Sequence, residues 1–404
     1  MFLEILLFIL LGAFSGVIAG LLPGIHPNTL IVLLFGSLTL ISGYPVYAIV
    51  SFIISMVVVN TLVGFIPAIF LGAPEDSTAL SVLPGHRLLM EGRGLEAVYL
   101  SVIGGIGVVL LFSLSLPLLI KVLPFLYENI KSYIPFLLMG IVSVMILTEK
   151  GIQKLWGVVA FTLSGILGMI TLNSYLVQPT FVFFPLFSGL FGISTLLLSL
   201  KSKTKLVKQF ENFGVVDRSL AILGSIKGFL AGLIVGILPA VGSAQAGTLV
   251  QIIARKEDAK EFLVSMGGIN AANTLFALAA LYIIGKPRSG AAVAVDRLVE
   301  NFGFNEMLLL VGVTLFATGL GVILTLNISK RFLNILGKIS YDKISISVIG
   351  LITILTLIFT GFYGLLILAV STAIGLIAPL ANIKRSLLMG VLILPTIFLY
   401  FGLI

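Results

Sequence analysis

Long apolar runs separated by short polar breaks organise the 404 residues, without the alternation that would give a helix or strand one wet face. A run approaching about 18 apolar residues has nothing to offer water on any side, so it reads as a helix solvated by lipid. In the first half such runs extend from Phe2 to Leu22, Pro45 to Leu71, Leu95 to Ile120, Tyr133 to Leu147, Leu155 to Leu172 and Thr180 to Leu200. In the second they extend from Ala221 to Leu238, Phe262 to Ile284, Glu306 to Leu326, Ile344 to Phe359, Leu365 to Leu380 and Leu387 to Leu403. Lys201 to Arg218 is the one long polar stretch. The pattern predicts an all-α polytopic membrane protein, with residues 1–200 as a first repeat, 201–220 as a cytoplasmic linker and 221–404 as a second repeat.

The two halves share a skeleton. GAFSGVIAGLLPGIHPNTL, Gly12 to Leu30, returns as GFLAGLIVGILPAVGSAQAGTL, Gly228 to Leu249, with Gly16, Gly20 and Pro23 matching Gly232, Gly236 and Pro239 at one spacing of 216 (232 − 16). Asn60-Thr61-Leu62 matches Asn273-Thr274-Leu275, and Gly72-x-Pro74 matches Gly285-x-Pro287, at 213 (273 − 60). A shift near half the length is the mark of a duplication. In each half a proline ends the first apolar run, and the arms that follow, Thr29 to Ile41 and Ala244 to Ala254, span only roughly 20 and 17 Å against a ~30 Å hydrocarbon core. Each pair of arms is therefore expected to form a re-entrant helical hairpin, over residues 3–41 and 221–254, followed by about five spans over 45–200 and 262–403.

Composition removes the soluble classes: 59% of residues are hydrophobic, 10% are charged and the mean hydropathy is +1.23. The net charge of +8 does not point to nucleic acid, because the basic residues sit in short loops between apolar runs. Those loops carry Lys150 and Lys154, Lys201 to Arg218, Arg255 to Lys260, Lys330 to Lys343, and Lys384 with Arg385. Placing all of them in the cytoplasm requires the first hairpin to enter from outside and the second from inside, with both termini outside. The halves then have opposite orientation, the inverted-repeat plan of secondary transporters. The chain has no cysteine, which excludes thiol nucleophiles and Cys-ligated metals. Its N-terminus, MFLEILLFILLGAF, carries Glu4 but no Lys or Arg and is expected to stay in the membrane.

Irregular backbone at membrane depth must be buried in protein or line a cavity, and a helix that restarts after a break aims free N–H donors at it. The candidate anion-binding groups are Gly24, His26, Asn28 and Thr29 at one hairpin tip and Gly242, Ser243 and Gln245 at the other. Behind them stand Asn60, Thr61, Asn273 and Thr274, and in the second Gly-x-Pro break Arg288 and Ser289, beside Lys286. Glu75, Asp76 and Ser77 in the first break are candidates for coupling Na⁺ or H⁺ if they lie at membrane depth. Plainer readings stand beside these. The Gly-x3-Gly pairs suit close helix packing, and Asn60 and Asn273 suit interhelical hydrogen bonds. His26 suits a satisfied interior polar residue, and the charges in both breaks suit a wet surface. No His-Glu-x2-His or Gly-x-Gly-Asp signature is present, so no enzyme is expected, although a Ser-His pair using His26 or His86 stays open.

The two Gly-x3-Gly-x2-Pro hairpins, each followed by a long helix and a Gly-x-Pro break, resemble the TctA family, the large membrane subunit of tripartite tricarboxylate transporters. The resemblance covers about Gly12 to Gly107 and Gly228 to Asn301. It implies secondary, cation-coupled carboxylate transport with a small membrane subunit and an extracytoplasmic binding protein. The family pattern has Pro-Gly-Ser at the breaks, where this chain has Pro74-Glu75-Asp76 and Pro287-Arg288-Ser289, and Pro-Gly where it has Pro239-Ala240. The expectation is a plasma-membrane carrier of small organic anions working by alternating access with Na⁺ or H⁺, with no other cofactor and a homodimer as a candidate assembly. A channel or structural membrane protein, with the breaks as pore lining, is the alternative, and an intramembrane hydrolase the more distant one.

Overall fold

A computed structural model describes residues 1–22, 30–31, 34–35, 43–71, 76–174, 176–178, 181–200, 209–210, 216–238, 242–243, 246–247, 250, 258–336 and 341–403. The regular elements among them are all helical. The helices are α1 (Phe2–Leu21), α2 (Val46–Val63), α3 (Phe65–Leu71), α4 (Val82–Met90), α5 (Gly94–Ile130), α6 (Ile134–Leu147), α7 (Gln153–Asn173), α8 (Phe183–Phe187) and α9 (Ser194–Ser199) in the first half. The second half has α10 (Arg218–Ile237), α11 (Ala259–Ile284), α12 (Gly290–Leu298), α13 (Phe304–Leu336), α14 (Tyr341–Leu380) and α15 (Gly390–Tyr400). Eight helical stretches among the described residues are long and apolar enough to cross a membrane, by length and composition. In lipid, a span must satisfy its own backbone hydrogen bonds, and a helix does so within one segment.

Several elements depart from the apolar pattern. The predicted run Leu95 to Ile120 continues as α5 to Ile130, through Pro117 and Pro124. Thr180 to Leu200 is broken into α8, a π-helical turn at Ser188–Ile193 and α9. The first break is shorter than expected, because a 3₁₀ turn starts at Asp76 and leads into α4. Helix α12 was hidden in a stretch too polar to register as a span. Ser289 starts it, accepting a hydrogen bond from Ala292 N at 3.2 Å, an N-cap that satisfies one of the four open donors of a first turn. The predicted spans Ile344 to Phe359 and Leu365 to Leu380 are two helices joined at Gly361, where φ is 63°. The two hairpin tips and the second arms fall largely outside the described residues.

Burial separates centre from periphery. In the apolar windows of Val46–Phe70 and α11, 83% and 72% of residues are buried, against 33% for α1 and 28% for α14, so α2 and α11 are the core and the others offer a face to lipid. Leu3, Leu7, Leu10, Phe14 and Ile18 form that outer face on α1. The inner face of α1 is glycine: a Cβ at Gly16 would lie 2.4 Å from the Met56 carbonyl oxygen and one at Gly20 would lie 2.9 Å from Val63 Cβ. Backbones that approach this closely gain dispersion contacts that no larger residue permits.

The same register recurs in the second half. Gly16 packs on Val59 and Gly20 on Val63, while Gly232 packs on Ala272 and Gly236 on Phe276. Val59 and Ala272, like Val63 and Phe276, are 213 apart (272 − 59). At the centre, the halves meet along two pairs of helices, while α7 packs on α15 and the π-helical turn on α14 further out. Helices α5 and α11 run side by side in one direction, from the Glu96–Lys260 ion pair to the Phe112–Phe276 ring contact. Between those points Gly104 and Gly267 bring the backbones together, since a Cβ on either would lie 1.8 Å from the opposing carbonyl oxygen of Val264 or Ser101. Helices α2 and α13 likewise run together, from Tyr47–Glu306 to Val59–Gly321.

Candidate functional site

Where the two pairs of helices meet, a small cavity is lined by Val58, Thr61 and Leu62 of α2, Gly105 and Val109 of α5, Ala271 and Thr274 of α11, and Thr314 and Thr318 of α13. Its volume of about 10 Å³ has room for about one water. Thr61 and Thr274, matched in sequence, therefore face one enclosed space from opposite halves. Three of its four threonine hydroxyls are already engaged with the preceding helical turn: Thr61 donates to the Val57 carbonyl at 2.8 Å, Thr314 to Leu310 at 2.8 Å and Thr318 to Thr314 at 2.7 Å. Such back-bonding turns the hydroxyls toward their own helices, and the surface that the cavity exposes is almost wholly apolar.

Asn60 and Asn270 flank this region and are buried, at 4% and 3% exposure. The Nδ2 of Asn60 and both side-chain polar atoms of Asn270 have no hydrogen-bond partner among the described residues. An unmet polar group at this depth costs about 1–3 kcal/mol, so it marks either stored cost or a ligand position. Asn273 is half-buried, and Ser243 is buried with its Oγ unpartnered among the described residues. Gly242 is half-buried beside it.

Arg288 sits between Gly285, whose φ of 68° ends α11, and the first turn of α12. Its guanidinium carbon lies 5.7 Å from the Tyr127 ring centroid, and Lys286 Nζ lies 5.8 Å from the same ring. Although the residue is half-buried, its Nε and Nη2 are buried and have no acceptor among the described residues. Two cations thus share one aromatic ring, and neither has a carboxylate partner among the described ion pairs. A cation–π contact is worth about 0.5–2 kcal/mol and offers no oxygen to the N–H groups.

Gly24, His26, Asn28, Thr29, Glu75 and Gln245 lie outside the described residues. Asp76 and Ser77 are placed in the 3₁₀ turn, with Ser77 half-buried. The structure thus joins Thr61 with Thr274, whereas Ser289 serves as a helix cap and Arg288 stands over Tyr127, outside the cavity lining. Sequence reading left out Asn270 because its counterpart in the first half is Val57 (270 − 213), so a search for matched polar positions passes over it. Thr314 and Thr318 carry no sequence signal at all, because only the tertiary packing turns them inward. Among the described residues no group of three or more His, Cys, Asp or Glu comes together.

A duplicated bundle of buried, polar-centred helices wrapped in apolar ones defines a multi-pass membrane protein. The model of the tripartite tricarboxylate transporter TctA family matches residues 6–390, and the chain belongs to that family. It is thus a tricarboxylate-transporter component, of a family of transporter subunits rather than enzymes. An uncharacterized protein of Methanocaldococcus jannaschii is 33% identical over 411 residues, covering 98% of both chains. No solved structure matches.

Proposed function

We propose that this chain is the translocating subunit of a secondary transporter for small organic anions of the carboxylate class, driven by Na⁺ or H⁺ and working by alternating access. The observation that carries the anion reading is Arg288: a guanidinium whose Nε and Nη2 are buried without an acceptor among the described residues calls for an oxyanion, and that edge is the fork that grips a carboxylate in two parallel bonds. Lys286 adds a second positive charge at the same ring. The substrate passes from there to the seam between the halves, where Asn60, Thr61, Asn270, Asn273 and Thr274 bind it, and Gly24, His26, Asn28, Thr29, Gly242, Ser243 and Gln245 are the further groups assigned to it. Glu75, Asp76 and Ser77 take the coupling cation.

The repeated glycine register and the two parallel helix pairs support two inverted repeats, each with a re-entrant hairpin. Loop charge supports a cytoplasmic linker and external termini. A small membrane subunit and an extracytoplasmic binding protein complete the transporter, and a homodimer is its assembly. Citrate uptake into proteoliposomes under imposed Na⁺ or proton gradients tests the reading. Uptake that saturates and follows one gradient supports it, whereas ion flux at channel rates without saturation overturns it.

A further inference from the structure

Among the polar contacts that join the halves, two are copies of each other. At the start of α5, Glu96 accepts hydrogen bonds from Arg93 Nε and Nη2, both at 2.8 Å, and pairs with Lys260 Nζ of α11 at 3.0 Å. At the start of α13, Glu306 accepts a hydrogen bond from Tyr47 Oη of α2 at 3.1 Å and one from Gly303 N at 3.0 Å. Glu306 follows Glu96 by 210 (306 − 96), the interval between the first residues of their helices, Gly94 and Phe304. Lys260 follows Tyr47 by 213 (260 − 47), the interval between Val46 and Ala259. Even the neighbours correspond, Arg93 with Gly303. Each tie is a carboxylate in a first helical turn reaching across to the first turn of the other half.

The ties lie at opposite ends of the seam. From Tyr47, α2 climbs to Leu62, which meets Gly105, and α5 reaches Gly105 from Glu96 by the antiparallel route, with Val58 and Val109 sharing the cavity further along. Thr61 is 14 residues beyond Tyr47 (61 − 47) and Thr274 is 14 beyond Lys260 (274 − 260), so the cavity sits between the ties. Loop charge puts Arg93, Glu96 and Lys260 on the cytoplasmic side. Gln209 of the linker reinforces that end, accepting from Gly94 N and donating to the Leu89 carbonyl, both at 2.9 Å. The two ties differ in kind: Glu96 is buried, at 8% side-chain exposure, and meets two cations, while Glu306 is half-buried and meets a phenol. Across the seam the inner tie has charge on both partners, with Arg93 buttressing Glu96 from its own half, whereas the outer tie is a neutral phenol on a carboxylate, so the inner one holds more firmly.

We infer that Glu96–Lys260 and Tyr47–Glu306 are the inner and outer latches of the transport cycle, and that their inequality biases the empty carrier toward opening outward. Both latches are closed in this structure, with the cavity between them holding room for about one water. Opening to one side breaks the latch at that side and keeps the other, so the weaker outer latch yields first. The inference rests on the carrier reading, but its test reads conformation directly.

The protein contains no cysteine, so Thr318→Cys in the cavity lining reports which side can reach it. Full-length protein in oriented liposomes is labelled with an impermeant maleimide from each side. The outside-to-inside labelling ratio is expected to exceed one, to fall ~10-fold with Glu96→Gln and to rise with Tyr47→Phe. The exchanged pair Tyr47→Lys with Lys260→Tyr, which keeps both contacts and trades their strengths, reverses the preference. Ratios within twofold of one another in every background, or both single variants moving the ratio the same way, overturn the latch assignment. If the ratios shift as expected while wild-type protein moves no citrate under any gradient, the latches stand and the carrier reading falls.

Discussion

Replacing Arg288 by methionine keeps the stem over Tyr127 and removes every N–H donor, which separates two accounts of this residue. If its Nε/Nη2 edge receives a carboxylate, the variant loses charge-assisted hydrogen bonds, each worth about 1.5–3 kcal/mol. Breaking a buried charged pair from one side costs about 2–5 kcal/mol, and the half-exposure of the residue sets the lower end, so a loss of about 2 kcal/mol follows, or ~30-fold in Kd. Arg288→Lys keeps the charge without the fork and should fall between, near ~5-fold. The empty protein should respond in the opposite direction. Two buried donors without acceptors cost about 1–3 kcal/mol each, and the lost cation–π contact returns only about 0.5–2 kcal/mol, so Arg288→Met should melt higher than wild type when no anion is present. The assays are KM for citrate uptake in proteoliposomes and the melting temperature with and without citrate. An unchanged KM, or a variant that melts lower without ligand and is still raised by citrate as much as wild type, would refute the anion role.

Three further outcomes follow from the packing. Gly104→Ala or Gly267→Ala drives a Cβ to within 1.8 Å of a carbonyl oxygen on the facing helix and should cost more than the ~1–3 kcal/mol usual for overpacking, whereas Gly140→Ala, with open space around it, should be neutral or stabilising; thermal unfolding in detergent distinguishes them. Asn270→Leu removes two unpartnered buried polar atoms and should raise the melting temperature while lowering citrate uptake at least ~10-fold; undiminished uptake would remove Asn270 from the site. Burial holds the Lys384 ammonium below the ordinary lysine range, against the pull of Glu149. The folded state therefore binds fewer protons than the unfolded one between the two pKa values, so stability gains there as the pH rises. Lys384→Met should be the more stable protein at neutral pH, and that advantage should fade toward the ordinary lysine pKa; an advantage unchanged across that range would contradict the burial argument.

The sequence by itself determined the class, the duplication and the family. Lipid leaves a chain little choice, since a run of apolar residues without a wet face becomes a helix whatever its neighbours do. The Gly16/Gly20 and Gly232/Gly236 pairs were legible as packing residues because only a missing side chain permits that spacing, and they do pack α1 on α2 and α10 on α11. Matched positions also located Thr61 and Thr274, which share one cavity. Other features needed the fold. Helix α12 follows from a serine cap and contacts with its neighbours rather than from hydropathy, and Asn270, Thr314 and Thr318 are ordinary helix residues until a second helix faces them. Arg288 read equally well as a surface charge; only its burial over Tyr127 without an acceptor changed that. The cross-half contacts of Glu96 and Glu306 join residues 164 (260 − 96) and 259 apart in the chain. No local pattern encodes such a pair, because its energy exists only once four helices from two halves have been brought together.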